Sequence, residues 1–167
     1  MQKVNSPYWI QYFISLILII TLFSCEEKKT AGLSAKEYST VLDSVKTTLV
    51  NYYTEINRDG LTAEFKYLDH STDFYWTPPG FSHPISYEEV EKGVLANAGR
   101  YSSVDNRWLT LRIDPLTREL CSYTGQIQSS GRDTSGNSAT YNLVETGLMI
   151  KRADGWKLFR GQTTVVQ

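Results

Sequence analysis

After Ser102 the hydrophobic period of this chain changes from 3.6 residues to 2. The part before that point reads as helix with one short extended run, and the part after it reads as strand. Four long alternating segments cover residues 104–114, 118–129, 139–152 and 156–166. Their connections, Asp114-Pro115, Gly131 to Asn137 and Ala153-Asp154-Gly155, carry turn chemistry. Connections this short favour an antiparallel meander.

Ser34-Ala35-Lys36-Glu37 is a capping-box pattern that opens a helix. Apolar residues then fall at Tyr38, Val41, Leu42, Val45, Leu49, Tyr52, Tyr53 and Ile56, a stripe ended by Asp59-Gly60. A shorter helix is expected over 61–68, with Leu61, Phe65 and Leu68 on one side. Residues 72–77 read as a strand stopped by Pro78-Pro79-Gly80. Ser86-Tyr87-Glu88-Glu89 is a second capping box, opening a third helix over 87–98 with Val90, Val94 and Leu95 inward. The fold class is therefore α+β: three N-terminal helices packed on a strongly curved antiparallel sheet, the long first helix burying its stripe on the concave face.

The first 24 residues differ from the rest, with Lys3 as their only charge. Residues 10–23 are nearly all apolar, and as a helix they reach about 21 Å, short of a bilayer core of roughly 30 Å. That length suits a signal-peptide core. It ends in Leu22-Phe23-Ser24-Cys25, which resembles the bacterial lipobox, although Phe23 is bulkier than usual there. The resemblance implies a signal peptide over 1–24, a lipid on the Cys25 thiol, a polar tether over 25–33 and a domain over 34–167. The protein would then be held at the cell envelope, in the outer membrane of a Gram-negative bacterium. Two or more acyl chains on one cysteine give stable attachment, each buried methylene contributing about 0.8 kcal/mol. With Cys25 lipidated, Cys121 has no partner within the chain, so the domain must fold without a disulfide.

A formal charge of -1 supplies no field to grip nucleic acid. Two cysteines and two histidines exclude a cysteine-rich zinc module, and no histidine pair stands at metal-ligand spacing. No phosphate-binding glycine loop is present, and no cofactor is expected.

Phe65-x-x-Leu68-Asp69, Phe74-x-Trp76 with Pro79-Gly80, Ser86-Tyr87-x-Glu89, and the hairpin Leu148-Met149-Ile150-Lys151-Arg152 to Asp154-Gly155-Trp156-Lys157-Leu158 follow one another in order. In order and spacing they resemble the nuclear transport factor 2-like superfamily, the SnoaL-like cone fold, over residues 38–166. The resemblance implies a cone-shaped α+β barrel, a pocket between sheet and helices, and dimers through the outer sheet face. It does not imply one function, since members include isomerases, dehydratases, cyclases, binding proteins and association modules.

The resemblance turns Trp156 and Leu158 inward, and strand alternation then turns Arg160 and Gln162 inward too. Pairing Lys151 with Trp156 sets Met149 opposite Leu158, Gly147 opposite Arg160 and Glu145 opposite Gln162. Glu145, Arg160 and Gln162 are thus expected inside the cone, either as a clamp for an anionic ligand or as a buried, self-satisfied ion pair. Arginine and glutamine stand where related sequences often carry histidines, which speaks against imidazole chemistry there. Trp76, Trp108 and Tyr123 are candidate pocket walls or plain core, and Leu109, Leu111 and Ile113 compete with Trp108 for the interior. His70 and His83 read as solvated loop histidines. Asp69 and Asp73 lie near where steroid-isomerising relatives place a base, in no pattern that assigns one.

The expectation drawn from all this is an envelope lipoprotein that binds a small amphipathic or anionic molecule without catalysis, and no catalytic residue is assigned. The alternatives are a cofactor-independent isomerase, dehydratase or cyclase, or a homodimerising association module. That module would use an outer face of Lys157, Phe159, Thr163 and Val165.

Overall fold

The computed structural model describes residues 32–166; the leader and Cys25 lie outside the described residues. Helix α1, Ala35–Asp59, starts where the first capping box places it. Ser34 Oγ accepts from the Glu37 amide, and the Glu37 carboxylate accepts from the Ser34 amide at 2.9 Å. The helix buries Val41, Val45, Leu49, Tyr52, Tyr53 and Ile56 of the stripe its periodicity marked, while Leu42 is only partly buried and Tyr38, in the first turns, is 40% exposed. It stops at Gly60, whose φ of +88° suits a residue without Cβ.

The second helix is shorter and tighter than the sequence suggests. Leu61–Lys66 is a 3-10 helix, not an α-helix to 68. The reason is a competing strand contact. Tyr67 C=O accepts from Leu158 N at 2.7 Å and Asp69 N donates to Leu158 C=O at 2.8 Å, so the chain must leave the helix at Tyr67.

Of the run expected as strand over 72–77, only Tyr75–Thr77 pairs; this is β1. Trp76 and Ile85 exchange backbone hydrogen bonds of 3.0 and 2.8 Å and so close the loop between them. Helix α2, Tyr87–Asn97, opens on the second capping box. Val90 packs on the core as expected, but Leu95 is 58% exposed.

Four long strands follow: β2 Tyr101–Pro115, β3 Leu120–Asp133, β4 Ser138–Arg152 and β5 Gly155–Val166. The sheet order is β1-β5-β4-β3-β2, antiparallel except for the parallel β1–β5 pair. The loop expected over 131–137 is shorter, because β3 runs to Asp133 and the Asp133 carboxylate accepts from the Asn137 amide at 2.8 Å.

Side-chain hydrogen bonds along its length pin α1 to the sheet, among them three at Ser44, Leu49 and Asn57. Trp156 Nε1 donates to Ser44 Oγ at 3.1 Å, Trp108 Nε1 to the Leu49 carbonyl at 3.1 Å, and Asn106 N to Asn57 Oδ1 at 2.7 Å. Between helix and sheet lie Ile127, Met149, Leu158 and Tyr123, each 0–2% exposed. The tryptophan rings lie close against strand glycines. A Cβ on Gly125 would stand 2.7 Å from the Trp108 ring, and one on Gly161 2.6 Å from the Trp76 ring.

Candidate functional site

Glu145 sits near the middle of β4, 3% exposed, with its carboxylate turned toward α1. Tyr123 donates to Oε1 at 2.8 Å; Tyr53 and Thr163 donate to Oε2 at 3.0 and 3.1 Å. Trp76 Nε1 in turn donates to the Thr163 hydroxyl at 3.1 Å. Residues from α1, β1, β3, β4 and β5 therefore converge on one buried carboxylate, with every donor satisfied.

The expected trio of Glu145, Arg160 and Gln162 is not brought together. Met149 pairs with Leu158 as expected, but Leu148 pairs with Arg160, leaving Phe159 as an extra residue in β5. Such a bulge reverses the alternation beyond it. Gly161 therefore stands opposite Gly147, and Thr163 opposite Glu145. Arg160 lies on the other face, its Nε donating to the Asp73 carbonyl at 2.9 Å and its guanidinium 4.5 Å from the Phe159 ring centre. Gln162 is exposed. The bulge also corrects the outer face expected from Lys157, Phe159, Thr163 and Val165, because Phe159 and Thr163 are buried.

Trp76, Trp108 and Tyr123 pack in or against the core, and their polar tips are spent on protein partners. His70 is exposed and stacks on Tyr87 with ring centres 4.2 Å apart; His83 is exposed in the 78–84 loop. Asp69 is buried in an ion pair with Arg152, which donates Nε to Oδ1 at 2.6 Å and a terminal nitrogen to Oδ2 at 2.8 Å. Asp73 is exposed beside Arg160.

The sequence reading missed a second interior carboxyl. Glu64, in the 3-10 helix, is half-buried and accepts from the Tyr52 hydroxyl at 3.1 Å. In an α-helix over 61–68 it reads as one polar residue among apolar ones. In a 3-10 helix residues three apart stack, so Glu64 lies over the partly buried Leu61 and turns toward Tyr52.

Burial raises the carboxyl of Glu64 to about 7, with the Tyr52 hydrogen bond opposing and the Glu145 charge adding to the rise. Burial raises that of Glu145 as well, against the three hydroxyls that favour its charged form. Burial, with the nearby carboxylates, lifts the hydroxyls of Tyr52, Tyr53 and Tyr123 well above the usual phenol value, so they remain donors. Among the described residues, neither Glu64 nor Glu145 joins an ion pair, and no cluster of three metal-ligating side chains is found. The interior thus holds two upshifted carboxyls among tyrosines, an arrangement suited to hydrogen bonding or proton transfer.

No model of a known protein family matches the sequence, and no curated protein matches it. Solved structures do match. A candidate scytalone dehydratase from Novosphingobium aromaticivorans superposes with a TM-score of 0.70 at 10% identity, over 80% of this chain and 89% of that one. A nuclear transport factor 2-like superfamily protein from Salmonella enterica serovar Typhimurium gives 0.67 at 11% identity, over 77% and 93%. A hexachlorocyclohexane dehydrochlorinase from Novosphingobium barchaimii gives 0.63 at 12% identity, over 80% and 92%.

Proposed function

The chain has the nuclear transport factor 2-like fold, and on that fold we propose an envelope lipoprotein, anchored through lipid on Cys25, that takes a small amphipathic molecule at Glu64. The observation that carries this reading is the Glu64–Tyr52 pair. Among the described residues it is a half-buried carboxyl with a single donor and no cation, set among Tyr52, Leu61 and other core residues. A polar group set among apolar core side chains is the kind of group that orients a small molecule in a binding site. The ligand is amphipathic rather than anionic, because the guanidinium expected to hold an anion is engaged with Asp73 on the other face.

Native mass spectrometry of detergent-free protein from its own host tests the binding. A retained small molecule that is lost on Glu64→Leu supports the reading; folded protein that carries nothing, at any pH between about 4 and about 8, a span bracketing the ordinary and raised carboxyl values, removes it. The anchor has its own test. Cys25→Ala should release the chain from the membrane fraction or leave an uncut precursor, and a variant that is processed and still sediments with membranes contradicts the lipid.

A second reading is a cofactor-independent enzyme, and one observation favours it. A carboxyl brought to about 7 is half ionised near neutrality and can take a proton from carbon. The expected sign is a pH-dependent turnover that falls about 100-fold or more on Glu64→Gln. Equal rates in both proteins exclude Glu64 as the base.

A further inference from the structure

A groove of about 510 Å³ runs along the edge of β5, between the end of that strand and the 78–84 loop. It exists because β1 is short. β1 covers β5 only from Arg160 to Gln162, and Pro78 follows Thr77 directly. Beyond Gln162, β5 is paired with β4 on one side, and the loop stands off on the other.

Two features of the groove define what fits it. The first is its charge: among the described residues, no Asp, Glu, Lys or Arg lines it. Its lining includes the neutral polar residues Thr77, Ser82, Gln162 and Thr164, with His83 beside them; Thr163 also borders it, but its hydroxyl is engaged with Glu145. An anion finds no cation there and a cation no carboxylate. A wholly apolar ligand would strip water from the hydroxyls and amide without replacing it.

The second feature is a preorganised aromatic ring. Phe81 is 50% exposed, yet its loop is tied down. Phe81 N donates to the Pro78 carbonyl at 3.1 Å around Pro79-Gly80, and Gly80 has φ +85°. Proline at the second and glycine at the third position make this a type II turn. The Trp76–Ile85 backbone pair closes the loop's base. A ring held out in water by a stiff loop has little ordering entropy left to lose when a ligand covers it.

We infer that this groove binds a neutral polyhydroxylated ligand, a short saccharide, with one ring face against Phe81 and hydroxyls on Gln162, Ser82 and Thr77. A saccharide combines an apolar C–H face with a periphery of uncharged donors and acceptors, which matches both features. This site is separate from the carboxyls at Glu64 and Glu145, although Thr163 belongs to the groove lining and to the Glu145 network alike.

The test is calorimetric titration of the full-length chain with cellobiose, maltose, lactose and diacetylchitobiose, and in parallel with uronic-acid disaccharides and an extended threonine-rich peptide. Binding of at least one neutral disaccharide, equal at low and high salt, is the expected result. Phe81→Ala and Gln162→Ala should each weaken it by about tenfold. Both residues are exposed, so these variants keep the fold, which near-ultraviolet circular dichroism checks; Leu95→Ala, also exposed, should bind as the parent does. The inference is overturned if no neutral disaccharide binds, if only the acidic sugars or only the peptide bind, or if binding survives loss of both Phe81 and Gln162.

Discussion

Thr163 stands directly opposite Glu145 in the ladder between β4 and β5 and donates its hydroxyl to the buried carboxylate at 3.1 Å. One unpaired residue, Phe159, decides this. Without it Gln162 would occupy that place and Arg160 would follow it inside. With it the interior holds, among the described residues, carboxyls and hydroxyls but no guanidinium, which changes the kind of molecule the fold can receive.

The bulge can be tested by paired substitutions. Thr163→Val keeps the shape but removes a donor from Glu145 and an acceptor from Trp76, and should cost about 1–3 kcal/mol in urea unfolding. Gln162→Val, one residue away and exposed, should stay within about 0.5 kcal/mol. The reverse order of costs would place Gln162 inside after all.

Replacing Glu145 tests the hub itself. Glu145→Ala leaves the Tyr53, Tyr123 and Thr163 hydroxyls without their acceptor and opens a void, for a loss of about 3–5 kcal/mol. Glu145→Gln keeps one acceptor oxygen and should lose clearly less. Equal stability of the alanine variant and the parent would mean that the carboxylate is not buried as described.

Stability should fall as pH rises through the neutral range. The carboxyl of Glu64 is raised to about 7 in the folded state, so between the unfolded value and 7 the folded protein binds more protons than the unfolded one. The protonated state's advantage is complete below about 4.3 and is gone above the folded value, a change of up to about 4 kcal/mol. Denaturant titrations at about pH 4 and about pH 8, on either side of the window, measure it. Glu64→Gln should flatten that slope; a slope of the same size in the variant would assign it to another group.

Asp69 acts in the opposite sense. The hydrogen bonds from Arg152, joined by that from Ser71, hold its carboxyl below the usual aspartate range against the cost of burial. Its contribution is present above about 3.9 and disappears as pH falls through the folded value. Arg152→Met strands the buried carboxylate and should cost about 3–5 kcal/mol at neutral pH. The loss should shrink on acidification, which acid unfolding followed by far-ultraviolet circular dichroism would register.

Gly161→Ala reports on the Trp76 seat. The new Cβ would stand 2.5 Å from the Thr146 carbonyl and 2.6 Å from the indole, so one of them must move. Overpacking of this kind costs about 1–3 kcal/mol. A shift in the near-ultraviolet tryptophan bands should accompany it, and an unchanged spectrum with unchanged stability would show that Trp76 does not lie on that glycine.

The helix starts at Ser34 and Ser86, most of the buried stripe of α1, and all five strands, the first of them shorter than expected, were legible in the chain. These rest on neighbours three or four residues away, or on a two-residue alternation, and both are printed in sequence order. The site was legible only in part. Glu145 was found because it lies on the interior face of β4, before any irregularity could displace it. Glu64 was missed because its direction depends on a 3-10 turn that Leu158 imposes from almost a hundred residues away. Arg160 was misplaced because alternation carries a side assignment along a strand only while the pairing is regular.

By itself, then, the sequence determined which segments are helix or strand, in what order, and which residues they offer to a core, since these follow from local sterics and hydrophobic period. Only the tertiary structure decided which polar groups meet inside. That choice turns on one extra residue in β5, and a bulge is selected by the fit of two strands and a helix against each other, an energy no single segment contains.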